Sequence, residues 1–198
     1  MCSSDLGRLS LYRRLLKEAQ EGGASHMFSH ELAALARCTP AQVRRDVMTI
    51  GFTGSPARGY AVADLVAQIN AILDAPAPEN AILVGIGNLG RALLAYFVGR
   101  NPRYSIVAGF DTDLDRVNRV IHGCRCYPVE ELAGIVREKG IRLALNAVPA
   151  GAAQDMANML CTAGIRGIVN FAPVHLWTPP GVYVENVDVT MALERAAF

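Results

Sequence analysis

Three glycines near the middle of the chain have the spacing of a phosphate-binding turn. Gly85, Gly87 and Gly90 form a Gly-x-Gly-x-x-Gly pattern, with Asn88 and Leu89 inside it. In such a turn the first glycine permits a tight bend, the second lets the backbone approach a pyrophosphate, and the third lets a helix pack close to a strand. The phosphates would face the positive end of the helix dipole. The pattern therefore predicts a dinucleotide site.

An acidic residue follows at the distance that a ribose would require. Asp111 lies about 20 positions after Gly90, at the end of an apolar run, where its carboxylate can accept hydrogen bonds from the adenosine ribose hydroxyls. Its neighbours Thr112 and Asp113 add no basic side chain for a 2′-phosphate, so the sequence favours NAD over NADP. A plainer alternative is that Asp111 or Asp113 only caps the next helix.

These residues lie in a segment where strand and helix patterns alternate. The apolar run at residues 81–84 precedes Leu89, Leu93, Leu94 and Phe97, which recur at helical spacing. The alternation predicts an α/β unit with a Rossmann-like, doubly wound parallel sheet. The predicted strands are residues 81–85, 105–110, 142–147, 167–170 and 182–187, and a helix at residues 189–197 follows with Asp188 as its N-cap.

A proline-containing segment, residues 75–80, separates this unit from the N-terminal part of the chain. Pro76 and Pro78 favour an extended, stiff connector over a helix. We therefore predict a first domain at residues 1–74 and a nucleotide-binding domain at residues 79–187. The closing helix, residues 188–198, is counted separately.

The first domain has a helix-turn-helix pattern. Ser29 is predicted to cap the second helix, and Thr39, Pro40 and Gln42 begin the third helix in capping-box order. On the third helix, apolar side chains share one face, and the opposite face is cationic. The apolar face carries Val43, Val47 and Ile50, and the cationic face carries Ala41, Arg44, Arg45, Met48 and Thr49.

This cationic face predicts contact with DNA. Arg44 and Arg45 could bind phosphates or read guanine edges, and Met48 or Thr49 could contact base methyl groups. A glycine-rich loop follows with Arg58 at its tip, as in a winged-helix domain, and this arginine could enter a minor groove. The alternative is a three-helix bundle whose arginines are only solvated.

Length and composition restrict the class of protein. The 198 residues, of which 52% are hydrophobic, can bury two modest cores. No apolar run reaches the roughly 20 residues that a membrane span requires. The five cysteines are scattered, as expected for reduced thiols, and their spacing fits no zinc site; Cys124 and Cys126 are predicted to lie in a short strand. We predict a cytoplasmic protein with no membrane contact and no metal.

Motifs along nearly the whole chain resemble those of the Rex family, bacterial transcriptional repressors that sense the balance of NADH and NAD+. Their order is as specific as their composition, because it joins a winged helix to particular nucleotide-site loops. The matching segments are Arg8-Leu9 with Tyr12, residues 41–46, Gly59-Tyr60, residues 87–90, Phe110-Asp111, Val148-Pro149, Asn170-Phe171-Ala172-Pro173 and Glu185-Asn186-Val187-Asp188.

The resemblance implies a homodimer on double-stranded operator DNA, with NADH and NAD+ as cofactors. NADH would close the dimer and release the operator. Residues 188–198 would form a helix swapped into the partner subunit. Arg14 and Asp188 match a charge pair that helps set the arrangement of the subunits. The plainer alternatives are that Arg14 is only solvated and that Asp188 is only a helix cap.

The resemblance also implies coenzyme contacts besides the glycine turn and Asp111. These are Tyr96, Val148, Pro149, Phe171, Ala172 and Pro173. Tyr96 would lie near the nicotinamide, and the plainer alternative is that it is a core aromatic.

The wing departs from the family pattern. Pro56 stands where the family usually has an arginine, and Arg58 lies two places later. Ile50 replaces the aromatic residue that usually precedes the first wing glycine. The resemblance therefore does not predict which operator sequence is read.

Two other functions fit the nucleotide pattern. An NAD-dependent oxidoreductase would use the same fold, but residues 79–198 leave no substrate domain and contain only two histidines, His122 and His175. His175 could donate a proton, although a surface or packing role is plainer. A CoA-binding or other nucleotide-binding subunit, with the N-terminal helices serving assembly, would have no affinity for DNA. We predict no catalytic residue and no enzymatic activity.

Overall fold

The computed structural model describes residues 3–73, 78–98 and 103–197. It divides into two compact units, Met1–Pro76 and Ala77–Phe198. Within the described ranges, no helix combines the length and the apolar character needed to cross a bilayer.

The described part of the first unit is a winged-helix arrangement. Its elements are α1 (Ser3–Glu21), β1 (His26–Met27), α2 (Ser29–Ala36), α3 (Pro40–Thr49), β2 (Tyr60–Ala61) and α4 (Val62–Leu73). Strands β1 and β2 pair antiparallel, with Met27 opposite Tyr60, and helices α2 and α3 form the helix-turn-helix. One face of each longer helix is buried in a shared core that includes Leu9, Tyr12, Leu16, Leu32, Val43, Val47, Leu65 and Ile69.

The two predicted helix starts differ in outcome. The Thr39 hydroxyl accepts a hydrogen bond from the Gln42 N–H at 3.2 Å and Pro40 begins α3, as predicted. The predicted Ser29 cap is wrong, because the extended Phe28 precedes the helix and donates its N–H to the Glu31 carboxylate at 2.6 Å. A carboxylate at the third helical position thus reaches back to the cap, and Ser29 becomes the first helical residue.

The second unit alternates strands and helices. Its elements are β3 (Glu79–Val84), α5 (Asn88–Phe97), β4 (Tyr104–Asp111), β5 (Val120–Ile121), β6 (Cys124–Pro128), a 3₁₀ turn (Val129–Glu131), α6 (Leu132–Glu138), β7 (Leu143–Asn146), α7 (Ala150–Ala163), β8 (Gly167–Asn170), β9 (Tyr183–Asn186) and α8 (Val189–Ala197).

The seven-stranded sheet has the order β5-β6-β4-β3-β7-β8-β9. All neighbouring pairs are parallel except β5 and β6, which form an antiparallel hairpin at one edge. The doubly wound sheet is confirmed, and the hairpin strand β5 was not predicted because two residues carry no periodicity. The chain runs outward from β3 in both directions, through β4 and through β7. A crevice at the carboxyl ends of such strands is the usual ligand site of this fold.

Apolar side chains cover both faces of the sheet. One cluster packs α6 and α7 on Ile82, Val84 and Phe110, and the other packs α5 on Leu83 and Leu145. Successive residues of β3 point to opposite faces of the sheet. Because both faces are covered, the whole apolar run of β3 is buried. The rigid sheet fixes the positions of the loops that leave its carboxyl edge.

Candidate functional site

The turn between β3 and α5 cannot accept a side chain at its first glycine. Gly85 has a φ of +89°, and an added Cβ would lie 2.6 Å from the carbonyl oxygen of Ala147. Its N–H donates to the carbonyl of Phe110 at 2.9 Å. The turn is thus held between the ends of β4 and β7.

The other two glycines have different neighbours. A Cβ on Gly90 would overlap the carbonyl oxygen of Gly85, so only glycine lets α5 start this close to β3. A Cβ on Gly87 would meet no atom within 4 Å. Gly87 precedes α5 as its N-cap and lines an open crevice, so its backbone is accessible to a ligand at the positive end of the helix.

The Asp111 carboxylate is buried beside this turn. One oxygen accepts the N–H of Ile86 at 2.7 Å, and the other accepts the N–H of Asp113 at 2.9 Å. Burial alone would raise the pKa of Asp111, but these backbone hydrogen bonds and the Arg116 guanidinium bring it below its ordinary value. Asp111 therefore stays ionised, and it ties the turn to β4 besides facing the crevice.

Arg116 is the residue of this region that sequence reasoning missed. Its Nη1 lies 3.1 Å from Asp111 Oδ2, and its Nε lies 3.2 Å from Asp113 Oδ2. The neighbours Thr112 and Asp113 add no basic side chain, as predicted, but Arg116 supplies one from farther along the chain. Only Thr112 and Asp113 were considered, whereas a turn at residues 113–117 returns the chain to Asp111.

The crevice has a volume of about 660 Å³, within the usual range for small-molecule sites. Of the residues predicted to bind coenzyme, it brings together Gly85, Gly87, Asn88, Leu89, Asp111, Val148 and Pro149. Gly90 lies beneath it as a packing residue. The walls join the ends of β3, β4 and β7 to the first turns of α5 and α7.

The remaining predicted loop residues lie beside a second cavity of about 480 Å³. Ala172 and Pro173 line it together with Asp188 at the start of α8, and Phe171 is half-buried against the core under α5. A hydrogen bond of 2.9 Å from the Phe171 N–H to the Asn146 carbonyl connects this loop to the end of β7. Most of the predicted coenzyme contacts thus divide between two cavities along one sheet edge, and Gly90, Phe171 and Tyr96 line neither of them.

Tyr96 lies outside both cavities. Its side chain is 58% exposed on α5, about 12 Å along the helix from Asn88, so it is not a core aromatic. Its ring contacts Phe97 edge to face. Its role near the nicotinamide stays a prediction.

Asp188 caps α8. Its carboxylate accepts the N–H groups of Thr190 at 2.8 Å and Met191 at 3.1 Å. The predicted cap is therefore present in the second unit, and Arg14 is exposed on α1 in the first. Because the two residues belong to separate units, the structure does not test the charge pair predicted between them.

In the first unit, the faces of α3 are as the sequence pattern predicts. Val43, Val47 and Ile50 are buried. Arg44, Arg45, Met48 and Thr49 are exposed. Arg44 Nη1 donates to the Ser29 hydroxyl at 3.2 Å, which links the outer face of α3 to the start of α2.

The wing is a tight loop that extends from β2. Ser55 and Gly59 exchange backbone hydrogen bonds of 2.8 and 2.7 Å, and the exposed Arg58 lies inside the loop that they close. Gly59 has a φ of +77°, and an added Cβ would lie 2.5 Å from the Met27 carbonyl oxygen. A groove of about 390 Å³ separates the wing from Met48 on α3.

Each of the two units matches a family model of known proteins. A model described as a CoA binding domain matches residues 77–174, and one described as a putative DNA-binding protein N-terminus matches residues 4–47. The redox-sensing transcriptional repressor Rex of Desulforamulus reducens is 39% identical over 191 residues, which cover 96% of this chain and 91% of the relative. The chain belongs to the Rex family. The resemblance found in the sequence is confirmed.

Solved structures of the Rex-family repressor RSP agree with this fold. The complex of RSP with β-NAD+ and operator DNA has a TM-score of 0.90 at 28% identity, covering 100% of this chain and 91% of RSP. The complex with β-NADH has a TM-score of 0.88 at 28% identity, covering 100% and 92%. The winged-helix and Rossmann-like folds are therefore shared with RSP.

A buried carboxylate in this Rex-family chain fixes α3 to α1. Asp46 accepts hydrogen bonds from Arg8 at 2.7 and 3.0 Å, from the Tyr12 hydroxyl at 2.9 Å and from Gln42 at 2.7 Å. Burial would raise the pKa of Asp46, but these donors lower it below its ordinary value. The signal in the sequence was two i, i+4 pairs, Arg8 with Tyr12 and Gln42 with Asp46, which can face each other from neighbouring helices.

Replacing Asp46 with asparagine is expected to lower the free energy of unfolding of the first unit by about 2 kcal/mol near pH 7, because the negative charge and one of the two acceptor oxygens are lost. The folded-state pKa of Asp46 is depressed, so its contribution is complete above the unfolded value of about 3.9 and is lost as the pH falls through the folded value. Urea unfolding followed by circular dichroism across this range should show the two proteins converging at low pH.

The matched control is Asp64→Asn, which removes one exposed carboxylate on α4. Its unfolding curve should stay close to that of the unmodified protein at each pH. Equal stability of the Asp46 and Asp64 variants near pH 7 would show that the buried carboxylate does not stabilise the unit.

Proposed function

We propose that this Rex-family chain is a transcriptional repressor that binds operator DNA through α3 and the wing and releases it when NADH occupies the crevice. The observation that carries the proposal is the presence in one chain of an open glycine turn beside ionised Asp111 and an exposed arginine pair on α3. The curated relatives are named redox-sensing repressors, and RSP was solved with NAD+ and operator DNA and with NADH. Chromosomal DNA and NADH meet in the cytoplasm, where such a repressor acts.

The switch depends on the nicotinamide ring, because NADH and NAD+ differ there in charge and planarity. The glycine turn and Asp111 hold the parts that the two coenzymes share. Discrimination therefore belongs to loops farther along the sheet edge, and Val148, Pro149 and residues 171–173 are our candidates. A coupling free energy of about 1 to 3 kcal/mol between coenzyme and DNA would give a graded response.

The proposed form is a homodimer that reads a two-fold site. Such a dimer needs its recognition helices about 34 Å apart, so a change in spacing releases DNA without altering a base contact. Supporting this, no residue of α8 within the described chain is buried, and Val189, Met191 and Leu193 are each more than half exposed. An amphipathic helix with a bare apolar face is suited to packing on a partner subunit. Arg14 would then be available to pair with Asp188 of the partner subunit.

The crevice does not have the composition of an oxidoreductase site. Neither His122 nor His175 lines it, and His175 is exposed with its ring edge-on to Trp177. We therefore propose that bound NADH is sensed and not consumed. A CoA-binding role shares the fold, but it gives no reason for the cationic face of α3.

Titration of a protein–DNA complex with NADH, NAD+ and CoA tests the proposal. The probe is a duplex that the protein selects from a random-sequence library in the presence of NAD+, with occupancy followed by fluorescence anisotropy at fixed salt. NADH should dissociate the complex and NAD+ and CoA should not, since a ligand shifts the equilibrium only by its differential affinity for the two states. The complex should also weaken steeply with salt.

Each alternative has its own outcome in this experiment. Release by CoA but not by NADH would favour a CoA-binding subunit, and absence of any salt-dependent complex would remove the DNA-binding function. Loss of NADH absorbance when small carbonyl compounds are added would favour an oxidoreductase.

A further inference from the structure

Two acids and one arginine share the ribose end of the crevice. Asp111, Asp113 and Arg116 all line it. The Arg116 guanidinium bridges the two carboxylates, at 3.1 Å from Asp111 and 3.2 Å from Asp113. Arg116 is 32% exposed and Asp113 is 40% exposed, so a ligand in the crevice can reach both.

Asp111 does not depend on Arg116 for its place. It is 7% exposed and accepts two backbone N–H groups, from Ile86 and from Asp113, which hold it whatever the arginine does. The side chain of Asp113, in contrast, meets the guanidinium in a partly solvated position. Arg116 donates a hydrogen bond to Asp111 and also pairs with Asp113, so Asp113 adds a second negative charge beside a guanidinium that Asp111 already holds.

The charges of this trio sum to minus one. A coenzyme ribose with free hydroxyls meets Asp111 as a hydrogen-bond acceptor, whereas a 2′-phosphate, with a charge of about −2, would meet a net negative site whose arginine is already paired. Without Asp113 the local charge would be neutral, and Arg116 could bind phosphate as arginine commonly does.

We propose that Asp113 determines coenzyme specificity by adding the second carboxylate charge beside Arg116, so that the site takes NADH and repels the 2′-phosphate of NADPH. This inference rests on the proposed function, which requires that the crevice binds NADH. Arg116 is a latent phosphate-binding residue whose charge is outweighed only while both carboxylates are present.

Asp113→Asn is the variant that separates charge from structure. Asp113 Oδ1 also accepts the N–H of Asp115 at 2.9 Å, and an asparagine side-chain oxygen can keep this turn. Asp113→Ser, whose hydroxyl can accept the same N–H, is a second variant for the case in which the amide disturbs the loop. Circular dichroism and NADH affinity report whether the fold and the crevice are intact in each.

Isothermal titration calorimetry of the full chain with NADH and with NADPH gives the readout. The unmodified protein should bind NADH at least about 100-fold more tightly than NADPH. Asp113→Asn should raise NADPH affinity by about 10-fold to 100-fold and change NADH affinity by less than about threefold. Adding Arg116→Gln to that variant should remove most of the gain.

The control for a general charge effect is Asp115→Asn, which makes the same change at an exposed position two residues away. It should leave NADPH binding weak. The inference is overturned if folded Asp113 variants bind NADH normally and NADPH no better, or if the gain persists without Arg116. Failure of the unmodified protein to bind NADH would instead remove the proposed function.

Discussion

Alanine at Gly90 is expected to prevent stable folding of the second unit. The added methyl group would overlap the carbonyl oxygen of Gly85, which cannot withdraw because Gly85 itself lies against Ala147 with a left-handed backbone. Helix α5 would have to leave the sheet and expose the apolar contacts of Leu94. Overpacking typically costs about 1 to 3 kcal/mol and costs more where fixed backbone cannot move aside, which is a large part of the about 5 to 15 kcal/mol that stabilises an ordinary domain. Circular dichroism should show loss of the cooperative unfolding transition or a large fall in its midpoint.

Gly87→Ala is the matched control, since it adds the same methyl group three residues earlier. The Cβ would enter open space and φ is −69°, which any residue adopts, so the fold should be retained with little change in stability. The methyl group would instead occupy the path of the pyrophosphate, and NADH affinity should fall at least about 10-fold. A stable Gly90 variant, or a Gly87 variant with unchanged NADH affinity, would contradict this assignment of roles.

These glycines illustrate why part of the site was predictable. Gly85 and Gly90 are required by close contacts with other backbone atoms, whereas Gly87 leaves open space for a ligand. The spacing of all three can be recognised within six consecutive residues. The same holds for Thr39 and Pro40, whose capping role depends on the next few N–H groups alone. The α3 faces followed from helical periodicity, because burial of Val43 and Val47 leaves Arg44 and Arg45 outside.

Side chains that meet across separate elements were harder to predict. Asp46 was not recognised as buried because its partners Arg8 and Tyr12 lie on another helix. Arg116 was missed because a turn, not a strand or helix, brings it back to Asp111. The periodicity of apolar residues predicts which face of an element is buried, but it does not predict which polar side chains form hydrogen bonds there.

Removing both arginines from the outer face of α3 should weaken binding of the selected duplex by about 100-fold to 10,000-fold. Each of Arg44 and Arg45 can make a charged contact with a phosphate or a guanine, worth about 1 to 3 kcal/mol. Both side chains are exposed, so Arg44→Ala with Arg45→Ala should leave the unfolding midpoint nearly unchanged. Fluorescence anisotropy at several salt concentrations gives the affinity and its salt slope. Lys139→Ala, which removes one exposed positive charge in the second unit, should have little effect.

The two single variants should affect DNA binding in different ways, because the two arginine side chains have different hydrogen-bond partners. Arg44 is hydrogen-bonded to Ser29 at the start of α2, and the first helix of a helix-turn-helix crosses the DNA backbone. We therefore expect Arg44→Ala to weaken binding of the selected and the scrambled duplex equally. It should also reduce the slope of log affinity against log salt concentration by about one. Arg45 has no such tie among the described hydrogen bonds and is free to reach a base edge, so Arg45→Ala should mainly reduce discrimination between the duplexes. If the double variant keeps both its affinity for the selected duplex and its discrimination against the scrambled one, α3 is not the element that contacts DNA.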